Sequence, residues 1–325
     1  MPTDAATLGE RFAEDGFVIL RSAYADQVPE LRRICEGALA RFVTTGTEDN
    51  QPSGRNYSAR ARMLIHLNHP DYHRERPGDL ATLLNAVAGE DAIAIATAIL
   101  AEPPLFLQCN LYMEPPRESW VGGWHRDCQY DKFDLRPDAD TERIILSEAV
   151  PAREVHMHIC LCDSAATEIV PGSHSRWDTP EEYEVRVNDY WSDAMPGREP
   201  IRLHAGDLAF FHVNSIHRGL YSRRKRRRTI AVTWGTASRP RPATREDMNG
   251  LGGYVASYQP WFDDPTYLED TTQTARETFE RFTATYRDSW DESFAADLNP
   301  DLRRYFAARR AGGCGPAWSA TARPG

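Results

Sequence analysis

An imidazole and a carboxylate stand two positions apart near the middle of the chain, in the run Trp124-His125-Arg126-Asp127. In an extended strand, residues i and i+2 share a face, so a strand over 120–128 would aim His125 and Asp127 at one point. A third ligand must come from elsewhere. His217, which lies 92 residues further on and just past an apolar strand at 207–213, is the best placed. Two imidazoles and one carboxylate on one face of an octahedron leave three positions open, an arrangement suited to non-haem Fe(II) and oxygen chemistry. The pair alone is a weak signal, and its bland reading is a surface histidine beside an aspartate in a local turn.

The segment after His217 strengthens the case. There Arg228, Ile230, Val232 and Trp234 alternate with Thr229, Ala231 and Thr233. Period-two geometry puts Arg228 on the same face as three large apolar side chains. An arginine on such a stripe needs a partner, because an unpaired buried charge is costly. A carboxylate gripped by the planar guanidinium is the natural one. It belongs either to a bound dicarboxylic cosubstrate or to an internal Asp or Glu. The basic run Arg223-Arg224-Lys225-Arg226-Arg227-Arg228 reads as a solvated hairpin whose last member turns inward.

These residues need a scaffold. Helices are expected from Thr7, with Thr7 and Glu10 as a capping box and Gly16 as the stop, and again after Asp26, at 79–88 and at 91–101. From Leu105 the character changes to short strands at 105–113, 120–128, 143–149, 154–163, 167–170, 200–203, 207–213 and 228–236, which reads as an antiparallel sandwich or barrel. Segments 43–62 and 238–265 read as loops, 266–310 as helix and 311–325 as a disordered tail. The expected arrangement is therefore a single domain over 1–310, with a helical part at 1–104, a β core at 105–236, and a loop and helices at 237–310.

With 325 residues and 41% hydrophobic content, the chain can bury one large core. A net charge of −10 argues against a dedicated nucleic-acid binder. The six cysteines form no CxxC pair and read as buried thiols of a reducing compartment. The N-terminus shows no secretory pattern and the longest apolar stretch, 92–101, is too short to span a bilayer, so a cytoplasmic protein without a membrane partner is expected. The oligomeric state is open between monomer and homodimer.

The motifs in order are FAEDGFVILRSAY, WHRD, IVPGSH at 169–174 and HAGDLAFFHVNSIHRG, then an arginine eleven residues after the distal histidine. Over roughly 8–236 this series resembles the phytanoyl-CoA dioxygenase family. The resemblance implies a double-stranded β-helix, or jelly roll, with flanking helices. It further implies Fe(II) held by His125, Asp127 and His217, with 2-oxoglutarate and O2 as cosubstrates. Arg228 matches the residue that clamps the distal carboxylate, and Gln108 a cosubstrate-contacting glutamine. Asn110 joins Gln108 on one face of strand FLQCNLY, with Phe106. Trp124, Tyr130, Asp131 and His174 are candidate substrate contacts, Trp120 a candidate aromatic wall, and 129–143 the expected lid. Gly219 stands where some members carry a cosubstrate-contacting serine. The retained Asp127 argues against a halogenase. His156 and His158 share a strand face and could hold a second metal, though such pairs more often pack or hydrogen-bond. The implied activity is hydroxylation, or another oxidation, of an unactivated C–H in a small metabolite, as in antibiotic and other specialised-metabolite biosynthesis. The alternatives are a cupin-type metalloenzyme that does not use 2-oxoglutarate, and a non-catalytic ligand-binding member of the fold.

Overall fold

The computed structural model describes residues 5–45, 62–64, 66–73, 75–127, 143, 145–240 and 268–286. The expected lid with Tyr130 and Asp131, most of the loops at 43–62 and 238–265, and the tail all lie outside the described residues.

Two antiparallel sheets form the core. The larger has the order β1(Phe17–Leu20), β8(Leu208–His212), β5(Val155–Cys160), β10(Arg228–Thr236), β3(Pro104–Met113), β2(Met63–Leu64). The smaller has the order β4(Trp120–Val121), β9(His217–Tyr221), β6(Thr167–Ile169), β7(Glu199–Pro200). This is the jelly-roll class expected. Among the described residues the sheets stay open at their edges and close no barrel.

Helices α1(Ala5–Asp15), α2(Val28–Thr45), α3(Gly78–Val87) and α4(Glu90–Leu100) cover the large sheet, joined by a C-terminal helix over Gln273–Tyr286. Leu8 and Phe12 of α1 bury against this layer, and Gly16 ends the helix with φ +77°, a backbone angle that suits glycine. The helix already starts at Ala5, so Thr7 and Glu10 fall inside its first turns and do not cap it. Phe279 and Phe282 of the C-terminal helix pack on Phe106, which meets Trp234 edge-on at 5.8 Å. No single helix among the described residues is long and apolar enough to cross a membrane.

The register decides which side chains face the helices and which face the smaller sheet. Ile230, Val232 and Trp234 of β10 join the helix-side core, so Thr229, Ala231 and Thr233 face inward between the sheets. On β3 a bulge opposite Thr233 and Trp234 pairs Trp234 with Phe106 and Thr233 with Gln108. One extra residue therefore carries Phe106 to the helix side, away from the face it was expected to share with Gln108 and Asn110. Two strand expectations also change. Residues 145–150 form a helical turn, with Ile145 and Ala149 buried and Leu146 and Val150 exposed, a four-residue spacing instead of the alternation of a strand. The expected strand at 120–128 pairs only over Trp120–Val121, and the chain returns to the sheet at a single bridge, His125 opposite His217.

Candidate metal centre

That bridge builds the site. The His125 N–H donates to the His217 carbonyl at 3.0 Å, and the His217 N–H returns the bond at 2.9 Å. The Asp127 N–H donates to the Val213 carbonyl at 3.0 Å, which ties the carboxylate to the loop leading into β9. With these three backbone bonds fixing the segments, the three side chains converge. One ligand atom from each of His125, Asp127 and His217 lies within 4.8 Å of the others. Asp127 Oδ1 is 3.4 Å from His125 Nε2 and 3.6 Å from His217 Nε2.

Both imidazoles are oriented for ligation. His125 Nδ1 is 2.7 Å from the Gly123 carbonyl and His217 Nδ1 is 2.8 Å from the Ser215 carbonyl. A carbonyl only accepts, so Nδ1 carries a proton in each ring and Nε2 is the nitrogen that faces the centre. Burial and the neighbouring His125 push His217 down to about 3, which keeps it neutral. For Asp127, burial opposes ionisation, but His125, His156 and His217 overcome it and hold the carboxyl well below the usual carboxylate range. The set therefore joins a neutral His217 and an anionic Asp127 with the Nε2 of His125.

A fourth histidine supports the set. His156, inward on β5, places Nε2 2.6 Å from Asp127 Oδ2 and Nδ1 3.0 Å from Thr233 Oγ1. His158 follows it inward, kept neutral first by burial and then by repulsion from Arg227. Neither joins a second metal-ligating group of three among the described residues. Phe211 packs edge-on to His158 and His217 and tilted on His156, closing the floor with hydrocarbon.

Arg228 points elsewhere. It is paired with Glu36 of α2 and with Glu114, on the side away from the converging His125, Asp127 and His217. The internal-acid alternative therefore holds, because the stripe that Arg228 shares with Ile230, Val232 and Trp234 is the helix-facing one. Arg227, one residue earlier, takes the inward position. Its guanidinium lies 4.5 Å over the Tyr112 ring and 5.5 Å from that of Tyr221. Its Nε and Nη1 are buried without a hydrogen-bond partner, as is Oγ1 of Thr229 on the same strand face. Gln108 and Asn110 are inward but engaged: Gln108 Nε2 donates to Thr233 Oγ1 at 2.9 Å, and Asn110 Nδ2 donates to Gln108 Oε1 at 3.2 Å.

Two other expected contacts face away. Trp124 is buried with Val170, Val185, Met195 and Ile216, and its Nε1–H donates to the Ser192 carbonyl at 2.9 Å. One residue before a ligand, it takes the opposite face. His174 turns to the end of α1, with Nε2 3.2 Å from the Ala13 carbonyl and its ring 5.1 Å from that of His212. Arg126, between the two ligands, is buried and bonded to Asp178 and to the Ser173 and Asn214 carbonyls, and Asp178 also receives Arg186.

Some site residues escaped the sequence reading. The Tyr221 ring lies over Gly219, where a Cβ would stand 2.2 Å from its hydroxyl oxygen, so the bare Gly219 makes room for a phenol. Trp120 stacks on Tyr221 at 4.2 Å. Tyr190 presses on Gly123 and stacks with the exposed Trp191. Parity along β9 could have found Tyr221, which shares a face with His217.

The family model described as phytanoyl-CoA dioxygenase (PhyH) matches residues 12–229, about two thirds of the chain. The chain belongs to the phytanoyl-CoA dioxygenase family. All three converging ligands and Arg227 fall inside the matched span. No curated protein sequence matches. Among solved structures, AviO1 from Streptomyces viridochromogenes Tue57 is similar at 23% identity and TM-score 0.51, covering 74% of this chain and 99% of its own. EctD from S. alaskensis with bound Fe is 16% identical at TM-score 0.49, covering 73% of this chain and 79% of its own. SnoN, a non-heme alpha-ketoglutarate-dependent epimerase from nogalamycin biosynthesis, is 18% identical at TM-score 0.47, covering 73% of this chain and 82% of its own.

Proposed function

We propose that this phytanoyl-CoA dioxygenase family member is an Fe(II)- and 2-oxoglutarate-dependent oxygenase acting on an unactivated C–H bond of a small metabolite, in specialised metabolism. The observation that carries the reading is the convergence of His125, Asp127 and His217. Their donor set fits ferrous iron: two imidazoles and one carboxylate, with part of the coordination sphere left to other ligands. The cosubstrate fit rests on the orphaned polar atoms of Arg227 and Thr229, which ask for an anion in a buried place.

In this reading His125 and His217 hold the metal through Nε2, and Asp127 through Oδ1 while Oδ2 stays on His156. Arg227 receives the distal carboxylate of the 2-oxo acid, in the role expected for Arg228, with the Thr229 hydroxyl beside it. Iron, the 2-oxo acid and O2 together would supply an oxidant strong enough for C–H bonds, the O2 being reduced as the 2-oxo acid goes to succinate and carbon dioxide. Phe211 and the Tyr112 ring exclude water from the space between. The test is anaerobic addition of Fe(II) and 2-oxoglutarate. A visible charge-transfer band is expected, together with aerobic succinate release that Asp127→Ala and His217→Ala abolish. A protein that binds iron but neither shows the band nor forms succinate would overturn the reading.

A further inference from the structure

Arg62 immediately precedes the edge strand β2 of the larger sheet, its carbonyl accepting from the Met113 N–H at 2.9 Å. Its guanidinium crosses to the edge of the smaller sheet. There it lies 5.2 Å from the Trp120 ring centroid and 5.8 Å from that of Tyr221. Tyr221 is the shared element: Trp120 stacks on it at 4.2 Å, Tyr112 lies 6.5 Å from it, and Arg227 sits over Tyr112 at 4.5 Å. One array of three aromatic rings thus carries two guanidiniums, at the side of the site where the two sheets remain unjoined.

Neither cation has a carboxylate partner among the described residues. The acids nearby are spent: Glu36 and Glu114 pair with Arg228, and Glu36 also takes Arg226. Formal charge then decides what Arg62 is for. On the reading proposed above, the ferrous ion and Arg227 are balanced by Asp127 and the two carboxylates of the cosubstrate. Arg62 is left over, half-buried and resting on ring faces. Aromatic faces attract a cation but do not neutralise it, and a guanidinium so placed gains most from a planar oxyanion.

We infer that the substrate carries an oxyanion, a carboxylate or a sulfate- or phosphate-like group, which docks on Arg62 against Trp120 and Tyr221. This rests on the oxygenase reading and adds the substrate class. The group anchors the far end of the substrate and leaves its neutral carbon skeleton to lie over the metal.

Acetate and sulfate serve as probes, added to the anaerobic protein loaded with Fe(II) and saturating 2-oxoglutarate, with tryptophan fluorescence as the signal and Trp120→Phe locating its source. A saturable response is expected, the two anions competing with each other. Arg62→Gln should weaken it by about tenfold or more, the loss of one charge-assisted contact, while the 2-oxoglutarate titration of the absorption band stays within about twofold. Absence of a saturable response in the unaltered protein overturns the inference. So does displacement of the anions by 2-oxoglutarate, which would give Arg62 to the cosubstrate. A change in melting temperature alone in Arg62→Gln also overturns it, making the residue a bridge between sheets. Failure of the Fe(II)–2-oxoglutarate band itself is a separate result, and it removes the oxygenase reading on which the inference stands.

Discussion

His156 Nε2 and Asp127 Oδ2 are 2.6 Å apart, so the oxygen of the carboxylate that does not face the two ligating imidazoles is held by strand β5. An aspartate free to rotate about its last torsion would offer either oxygen, or both, to a metal. His156→Ala should therefore lower Fe(II) affinity by about 10- to 100-fold, the usual cost of losing a group that orients a ligand. His156→Gln, which keeps a donor, should recover part of it. Anaerobic Fe(II) titration measures this, and equal affinities in all three proteins would refute the role.

Arg227 and Arg228 are neighbours with opposite assignments, and two variants separate them. Arg227→Gln removes a charged anchor and should raise the apparent 2-oxoglutarate dissociation constant by about 30- to 100-fold with little change in melting temperature. Arg228→Gln should leave cosubstrate binding alone and destabilise the fold by about 1–2 kcal/mol, since Glu36 and Glu114 are partly solvated without it. The reverse pattern would restore Arg228 to the site.

Asp178 accepts from both Arg126 and Arg186, and the side chains of all three are at most 3% exposed. Asp178→Asn leaves two buried guanidiniums short of an anion and should cost about 3–5 kcal/mol in denaturant unfolding. Arg126 sits between His125 and Asp127, so a milder destabilisation with unchanged iron affinity would show that the pair does not brace the ligands.

Burial, with the neighbouring His174, pushes His212 down to about 3 from its ordinary 6.5. The folded ring resists a proton that the unfolded ring accepts. Its contribution is complete above about pH 6.5 and is lost as pH falls from there toward 3, with a slope of about 1.4 kcal/mol per pH unit. Thermal melts between pH 7 and pH 5 should fall steeply, and His212→Gln should flatten that dependence by about one proton. Parallel curves would exclude His212 as a contributor.

Much of this was legible in the sequence, for identifiable reasons. His125, Asp127 and His217 do come together, although the strand expected at 120–128 does not form; the His125–His217 bridge and the Asp127 N–H to the Val213 carbonyl bring them to one point instead. Alternation along β10 correctly separated Ile230, Val232 and Trp234 from Thr229, Ala231 and Thr233. It could not say which stripe faced the site. The instinct that large apolar residues line the inside fails here, because the helical layer takes them and the space between the sheets is left to small and polar side chains. Phe106 was lost to a bulge, which no period-two reading detects. Arg62 lies beside β2 of the larger sheet and Tyr221 at the end of β9 in the smaller, and their meeting depends on how two sheets approach each other, a distance that no local pattern encodes.

The arginine that faces inward belongs to a run of three, Arg226, Arg227 and Arg228, at the end of the loop that leads from β9 in the smaller sheet to β10 in the larger, so the hairpin expected for the basic run is a crossing between sheets. Because β10 pairs with β3 on one side and β5 on the other, its register does not depend on that loop. A residue gained or lost before Arg226 would leave Arg227 facing inward, so the loop can vary in length without moving the inward cation.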